Sequence, residues 1–176
     1  MMPLTILLVE DSPADQMMTT AALESIKLAN EVYLVDNGAD ALRFVRREGP
    51  YADSPRPDLI LLDLNLPKLD GRELLSILKR DPVHRFIPVI VMTTSTHPAD
   101  VTRAYFEHAN GYLEKPLRLD SLARELGQLG EYWFQLVKLP AAESLDAART
   151  PAIDAGRVLS VLLVEDNDAD ALLLET

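Results

Sequence analysis

Four short stretches of this sequence end an apolar run on a residue that can do chemistry. Leu4–Val9 runs into Glu10-Asp11, Leu59–Leu62 into Asp63, Val89–Met92 into Thr93-Thr94, and Tyr112-Leu113 leads within two residues to Lys115. Carboxylates brought together at one place repel each other, and a divalent cation or raised pKa values must offset that. Hard oxygen ligands suit Mg²⁺, which keeps several waters and takes few protein carboxylates together with a substrate phosphate. A lysine and a hydroxyl nearby would both bind phosphoryl oxygens. The chemistry this set suggests is phosphoryl transfer to a carboxylate, with metal and lysine neutralising the charge on the phosphoryl oxygens.

The elements that would have to bring these residues together are legible in the same pattern. The four runs are short and apolar on both faces, as buried parallel strands are. A further strand is expected at Val32–Val35. Ser12-Pro13-Ala14-Asp15 reads as a helix start, with Ser12 as N-cap, Pro13 in the first turn and Asp15 favoured by the helix dipole. That helix is expected to reach about Ala29. Others are expected over Ala39–Arg47, Arg72–Arg80, Pro98–His108 and Leu119–Val137. The last carries Leu122, Leu126, Leu129, Trp133 and Leu136 at helical spacing, a packing stripe or dimer contact. Gly49 to Pro57 reads as a loop from its Gly and Pro content. Five strands alternating with five helices predict an α/β fold, a doubly wound parallel sheet with right-handed crossovers. In such sheets the site lies beyond the carboxyl ends of the strands, where the four chemical stretches fall.

In order, the segments LLVEDS, DLILLDLNLPKLDG, PVIVMTTS and YLEKP resemble those of bacterial two-component response-regulator receiver domains. The resemblance covers about residues 4–138. It implies a flavodoxin-like fold with sheet order 2-1-3-4-5. By resemblance Asp63 is the phosphoacceptor; Asp11 binds Mg²⁺ directly, and Glu10 directly or through water. Asn65 offers its backbone carbonyl to the metal. Thr93 hydrogen-bonds the phosphoryl group and shifts on activation, Lys115 pairs with the phosphate, and Pro116 follows through a cis peptide bond. Tyr112 matches an aromatic position that swings inward as Thr93 moves. The loop before the third strand, LDLNLPKLDGRE, the TTS stretch and the tail YWFQLVKLP are similar to the response regulators that partner phytochromes. That likeness implies a sensor histidine kinase of phytochrome type as phosphodonor. It also implies a homodimer through the surface of helix four, strand five and helix five.

Composition narrows the alternatives. The chain has 176 residues, 48% hydrophobic and 26% charged, as a soluble globular protein does. Its 17 basic and 28 acidic residues leave a net charge of −11. Nucleic-acid backbones are bound by clustered Lys and Arg, so no nucleic-acid partner is expected. Without cysteine, disulfides, thiolate metal sites and cysteine catalysis are excluded. The apolar runs are too short for a bilayer, and the N-terminus lacks a basic region before its apolar residues. No membrane partner is expected, and the location is expected to be cytoplasmic. His84, His97 and His108 match no zinc spacing and read as surface or capping residues. The stretch Asp63-Leu64-Asn65 faintly resembles haloacid-dehalogenase phosphatases, which want a second Asp where Asn65 stands. Two other functions stay open: an unphosphorylated interaction module, or the regulatory part of an enzyme whose effector lies past Thr176.

A 176-residue chain exceeds one typical domain of about 150 residues. The excess has a pattern. Leu7, Leu8, Val9, Glu10, Asp11, Ala14 and Asp15 recur as Leu162, Leu163, Val164, Glu165, Asp166, Ala169 and Asp170. A domain-sized repeat of this kind reads as the start of a second receiver. The expected organisation is a receiver over 1–139, a linker over 140–157, and the truncated opening of a second receiver over 158–176.

Overall fold

In the computed structural model, the described residues are 3–26, 29–95 and 97–132. The strands are β1 (Leu4–Val9), β2 (Asn30–Val35), β3 (Leu59–Leu62), β4 (Val89–Thr93) and β5 (Gly111–Glu114). The helices are α1 (Pro13–Ser25), α2 (Gly38–Arg46), α3 (Gly71–Arg80), α4 (Pro98–Phe106) and α5 (Leu119–Glu131). A single 3-10 turn, Gly49–Tyr51, lies within the loop expected before β3. All strand pairs are parallel and the order is β2-β1-β3-β4-β5, as the resemblance implied.

The central strands explain why they read as unbroken apolar runs. Leu7, Val9, Ile60, Leu62, Val89 and Val91 face one layer, packed with Ala41, Phe44, Leu74, Leu75, Leu78 and Ala104 from α2, α3 and α4. Ile6, Leu8, Leu59, Leu61, Ile90 and Met92 face the other, against Ala22 and Leu23 of α1 and Leu122 and Leu126 of α5. Successive side chains alternate between faces, and both faces are covered, so every position must be apolar. Edge strand β2 is largely half-exposed, and its sequence is correspondingly mixed.

Helix ends depart from expectation where backbone pairing decides them. The first helix stops at Ser25 rather than Ala29, because the Ala29 carbonyl already accepts the Leu4 N–H and residue 30 is on the sheet. The fourth stops at Phe106 rather than His108. His108 turns left-handed (φ 62°), and the Ala109 N–H closes onto the Ala104 carbonyl. The end expected at Val137 and the repeat over 158–176 lie outside the described residues. No helix among the described residues is long and apolar enough to cross a membrane.

Candidate phosphoacceptor site

The ends of β1, β3, β4 and β5 lie side by side, and ladder bonds continue past the strands to fix the site residues. The Glu10 N–H donates to the Val35 carbonyl at 3.0 Å, the Asp63 N–H to Val9 at 3.0 Å, and the Lys115 N–H to Thr93 at 2.8 Å. Each chemical side chain is thus held by sheet rather than by loop. A second constraint comes from α3. A Cβ on Gly71 would stand 2.1 Å from the Asp63 carbonyl oxygen and 2.7 Å from the Leu64 Cα, so only glycine lets the helix begin against this loop. The Gly71 N–H then closes onto the Leu64 carbonyl at 2.9 Å, and the Asp70 side chain caps the helix through the Arg72 N–H.

Glu10, Asp11 and Asp63 each place a carboxylate oxygen within 4.8 Å of the others. Glu10 and Asp63 are buried, whereas Asp11 is exposed. Glu10 Oε1 accepts from the Ser12 N–H at 3.1 Å, and Asp63 Oδ1 accepts from the Asn65 N–H at 3.3 Å. Lys115, buried between them, sends its Nζ to Glu10 Oε2 (2.5 Å), Asp63 Oδ2 (2.9 Å) and Asp15 Oδ2 (3.0 Å). Burial by itself pulls Lys115 down. Its hydrogen bonds to Glu10 and Asp63 outweigh this and hold the ammonium well above its ordinary value, so it stays charged. Burial pushes the Glu10 carboxyl up, against the lowering effect of Lys115. Four carboxylates around one ammonium leave the site net negative, and the donors are all hard oxygens. The residues present therefore fit a small divalent cation.

Thr93 is fully buried, and its Oγ1 accepts from the Ser95 N–H at 3.3 Å. The hydroxyl proton stays available to donate. The following loop is tied twice. The Tyr112 hydroxyl donates to the Ser95 carbonyl at 2.8 Å, and Ser95 Oγ donates to Asp100 Oδ2 at 2.7 Å. Asp100 also receives Arg72 at 3.0 Å, and these two bonds hold its carboxyl below the ordinary range.

The structure thus brings Glu10, Asp11, Asp63 and Lys115 together, sets Asn65 beside Asp63, and puts Thr93 at the end of β4 and Tyr112 on β5, both bonded to Ser95 of the adjoining loop. One expectation is corrected. The Lys115–Pro116 peptide is trans, and no described peptide bond is cis. The intrinsic trans preference of an X–Pro bond, about 0.5–1 kcal/mol, prevails here. Of the histidines, His97 caps α4, its Nδ1 accepting from the Ala99 N–H; none joins the acidic cluster. Asp15 and the Ser95–Asp100–Arg72 chain escaped the sequence reading. Asp15 was visible only as a dipole residue in the first turn of α1, with nothing in the sequence to aim it at Lys115.

Residues 6–126 match the family described as response regulator receiver domain, and the chain belongs to it. It is a receiver domain of the response-regulator family of two-component signal transduction. The protein Response regulator Rcp1 of Synechocystis sp. is 44% identical over 140 residues, covering 80% of this chain and 95% of Rcp1. The crystal structure of the Mn²⁺-bound form of Rcp1 matches with a TM-score of 0.72 at 43% identity, over 79% of this chain and 100% of that one. The phosphorylated cyanobacterial phytochrome response regulator RcpA matches with a TM-score of 0.74 at 41% identity, over 80% of this chain and 100% of that one. The chain is therefore similar to phytochrome-associated response regulators.

Proposed function

We propose that Asp63 accepts a phosphoryl group from a sensor histidine kinase of phytochrome type, and that the modified receiver changes its protein contacts. The observation that carries this is the buried Lys115 ammonium bonded to both Glu10 and Asp63 at neighbouring strand ends. In the transfer, an Asp63 carboxylate oxygen bonds to phosphorus. The bond from phosphorus to the kinase histidine nitrogen breaks, and its electron pair stays on the imidazole. Lys115 offsets charge on the phosphoryl oxygens, and the Thr93 hydroxyl donates to one of them. Glu10, Asp11, Asp63 and the Asn65 carbonyl would hold Mg²⁺, which when bound draws further charge from those oxygens. In the reverse step water attacks phosphorus, the carboxylate leaves, and inorganic phosphate is released. Movement of Thr93 toward the phosphoryl group would pull on the Ser95 N–H, and so on the loop that Tyr112 holds by the Ser95 carbonyl.

RcpA is a phytochrome response regulator in phosphorylated form and Rcp1 holds Mn²⁺, and both support this reading. We read the chain as a cytoplasmic protein whose partners are proteins, in keeping with its net charge of −11. The receiver is taken as residues 1–139, with 140–157 a linker and 158–176 the opening of a second receiver. Tyr105 and Phe106 on α4, Leu117 just before α5 and Leu119 at its start are exposed, which supports a homodimer through that face. The central test is incubation with acetyl phosphate and Mg²⁺. Wild type should gain one acid-labile phosphoryl group, and Asp63→Asn should gain none; labelling that persists in the variant overturns the assignment.

A further inference from the structure

An ammonium group has three protons, and those of Lys115 are all in use. Glu10 and Asp63, two of the acceptors, belong to the clustered acids. The third, Asp15, does not. It stands in the first turn of α1, where its backbone N–H is held by Ser12 Oγ at 3.4 Å. Its side chain is 32% exposed, against 2% for Glu10 and 10% for Asp63. Asp15 therefore sits at the solvent side of the lysine, 3.0 Å from Nζ, and makes no other ion pair among the described residues.

We propose that Asp15 is a positioning residue that competes with the phosphoryl group for Lys115 and so shortens the life of the phosphorylated state. The inference rests on Asp63 as phosphoacceptor. A phosphoryl group on Asp63 brings oxygens that need the lysine's charge. Glu10 does not release it, because that would leave a buried carboxylate without its cation. Asp15 is hydrated enough to be the partner that yields. While it holds on, it draws part of the lysine's field away from the phosphoryl oxygens and adds its own repulsion. The same carboxylate makes the unphosphorylated acid cluster more negative, which favours binding of a divalent cation. Removing the Asp15 charge therefore has two opposite signatures: longer-lived phosphoprotein and weaker Mg²⁺ binding.

The test compares wild type, Asp15→Asn and Asp15→Glu, each loaded with acetyl phosphate, freed of donor, and followed as the label decays. Mg²⁺ affinity is titrated on the unphosphorylated proteins, and thermal midpoints confirm folding. A half-exposed ion pair supports an effect of about 2- to 5-fold. Asp15→Asn should decay more slowly by that factor and bind Mg²⁺ more weakly by a similar one, and Asp15→Glu should return both toward wild type. Asp15→Ala, run in parallel, should match the Asn variant and covers a failure of that variant to fold. Unchanged or faster decay in a labelled Asn variant overturns the role of Asp15 alone. Wild type that takes no label overturns the phosphoacceptor reading, and this inference with it.

Discussion

Replacing Lys115 with methionine isolates what a single cation does among these acids. Glu10 and Asp63 would be left buried without it, and breaking a buried pair in this way costs about 3–5 kcal/mol. The thermal midpoint of Lys115→Met should fall accordingly at neutral pH, and Mg²⁺ should recover part of the loss by binding more tightly than to wild type. The pH dependence has a definite sign. Because the folded protein holds the Lys115 proton above the ordinary 10.5, the lysine's contribution is complete below 10.5 and is lost as pH climbs past it. Wild type should therefore show an alkaline decline in stability that the variant lacks, read from denaturant midpoints across that range. An equal decline in both proteins would contradict the assignment. The residues at this scale were legible because their types are unusual at the ends of apolar runs. Asp15 was less so, since a first-turn aspartate has an ordinary reason to exist and nothing in the sequence points its carboxylate at residue 115.

At the scale of elements, the sheet was readable, and so was the end of α3 at Arg80, whereas the ends of α1 and α4 were not. β1 and β3 fall where expected, since two-sided burial writes itself as an unbroken apolar run. The ends of α1 and α4 depended on a ladder bond at Ala29 and a left-handed His108, which are tertiary and backbone facts without a residue signature here. The trans Lys115–Pro116 bond is of the same kind: sequence supplies the proline but not its isomer. Gly71 joins the two scales, because it is both a loop residue and the point where α3 meets the Asp63 backbone. Gly71→Ala forces a methyl into main chain that has nowhere to go. Overpacking of this sort costs about 1–3 kcal/mol. The variant should show that loss by urea denaturation and should take up phosphate more slowly from acetyl phosphate, since the displaced loop carries the proposed acceptor. A wild-type rate would mean that the loop relaxes without moving Asp63.

For the whole molecule, the proposed homodimer makes the next prediction. Phe106 is 79% exposed and Leu117 97% exposed, so neither contributes to the monomer's core. Phe106→Glu should leave the unfolding free energy within about 0.5 kcal/mol of wild type, as surface changes do, while shifting light-scattering mass toward monomer. A mass unchanged by the substitution would place any dimer elsewhere. A last consequence concerns biosynthesis. Glu10 and Lys115 meet across 105 residues of chain. A ribosome releases the acids on the first and third strands well before the lysine on the fifth, and domains fold as units during synthesis. Until β5 emerges, the nascent chain carries these acids without their cation. Competence to receive a signal thus arrives late in translation, and a fragment that stops short of residue 115 lacks it.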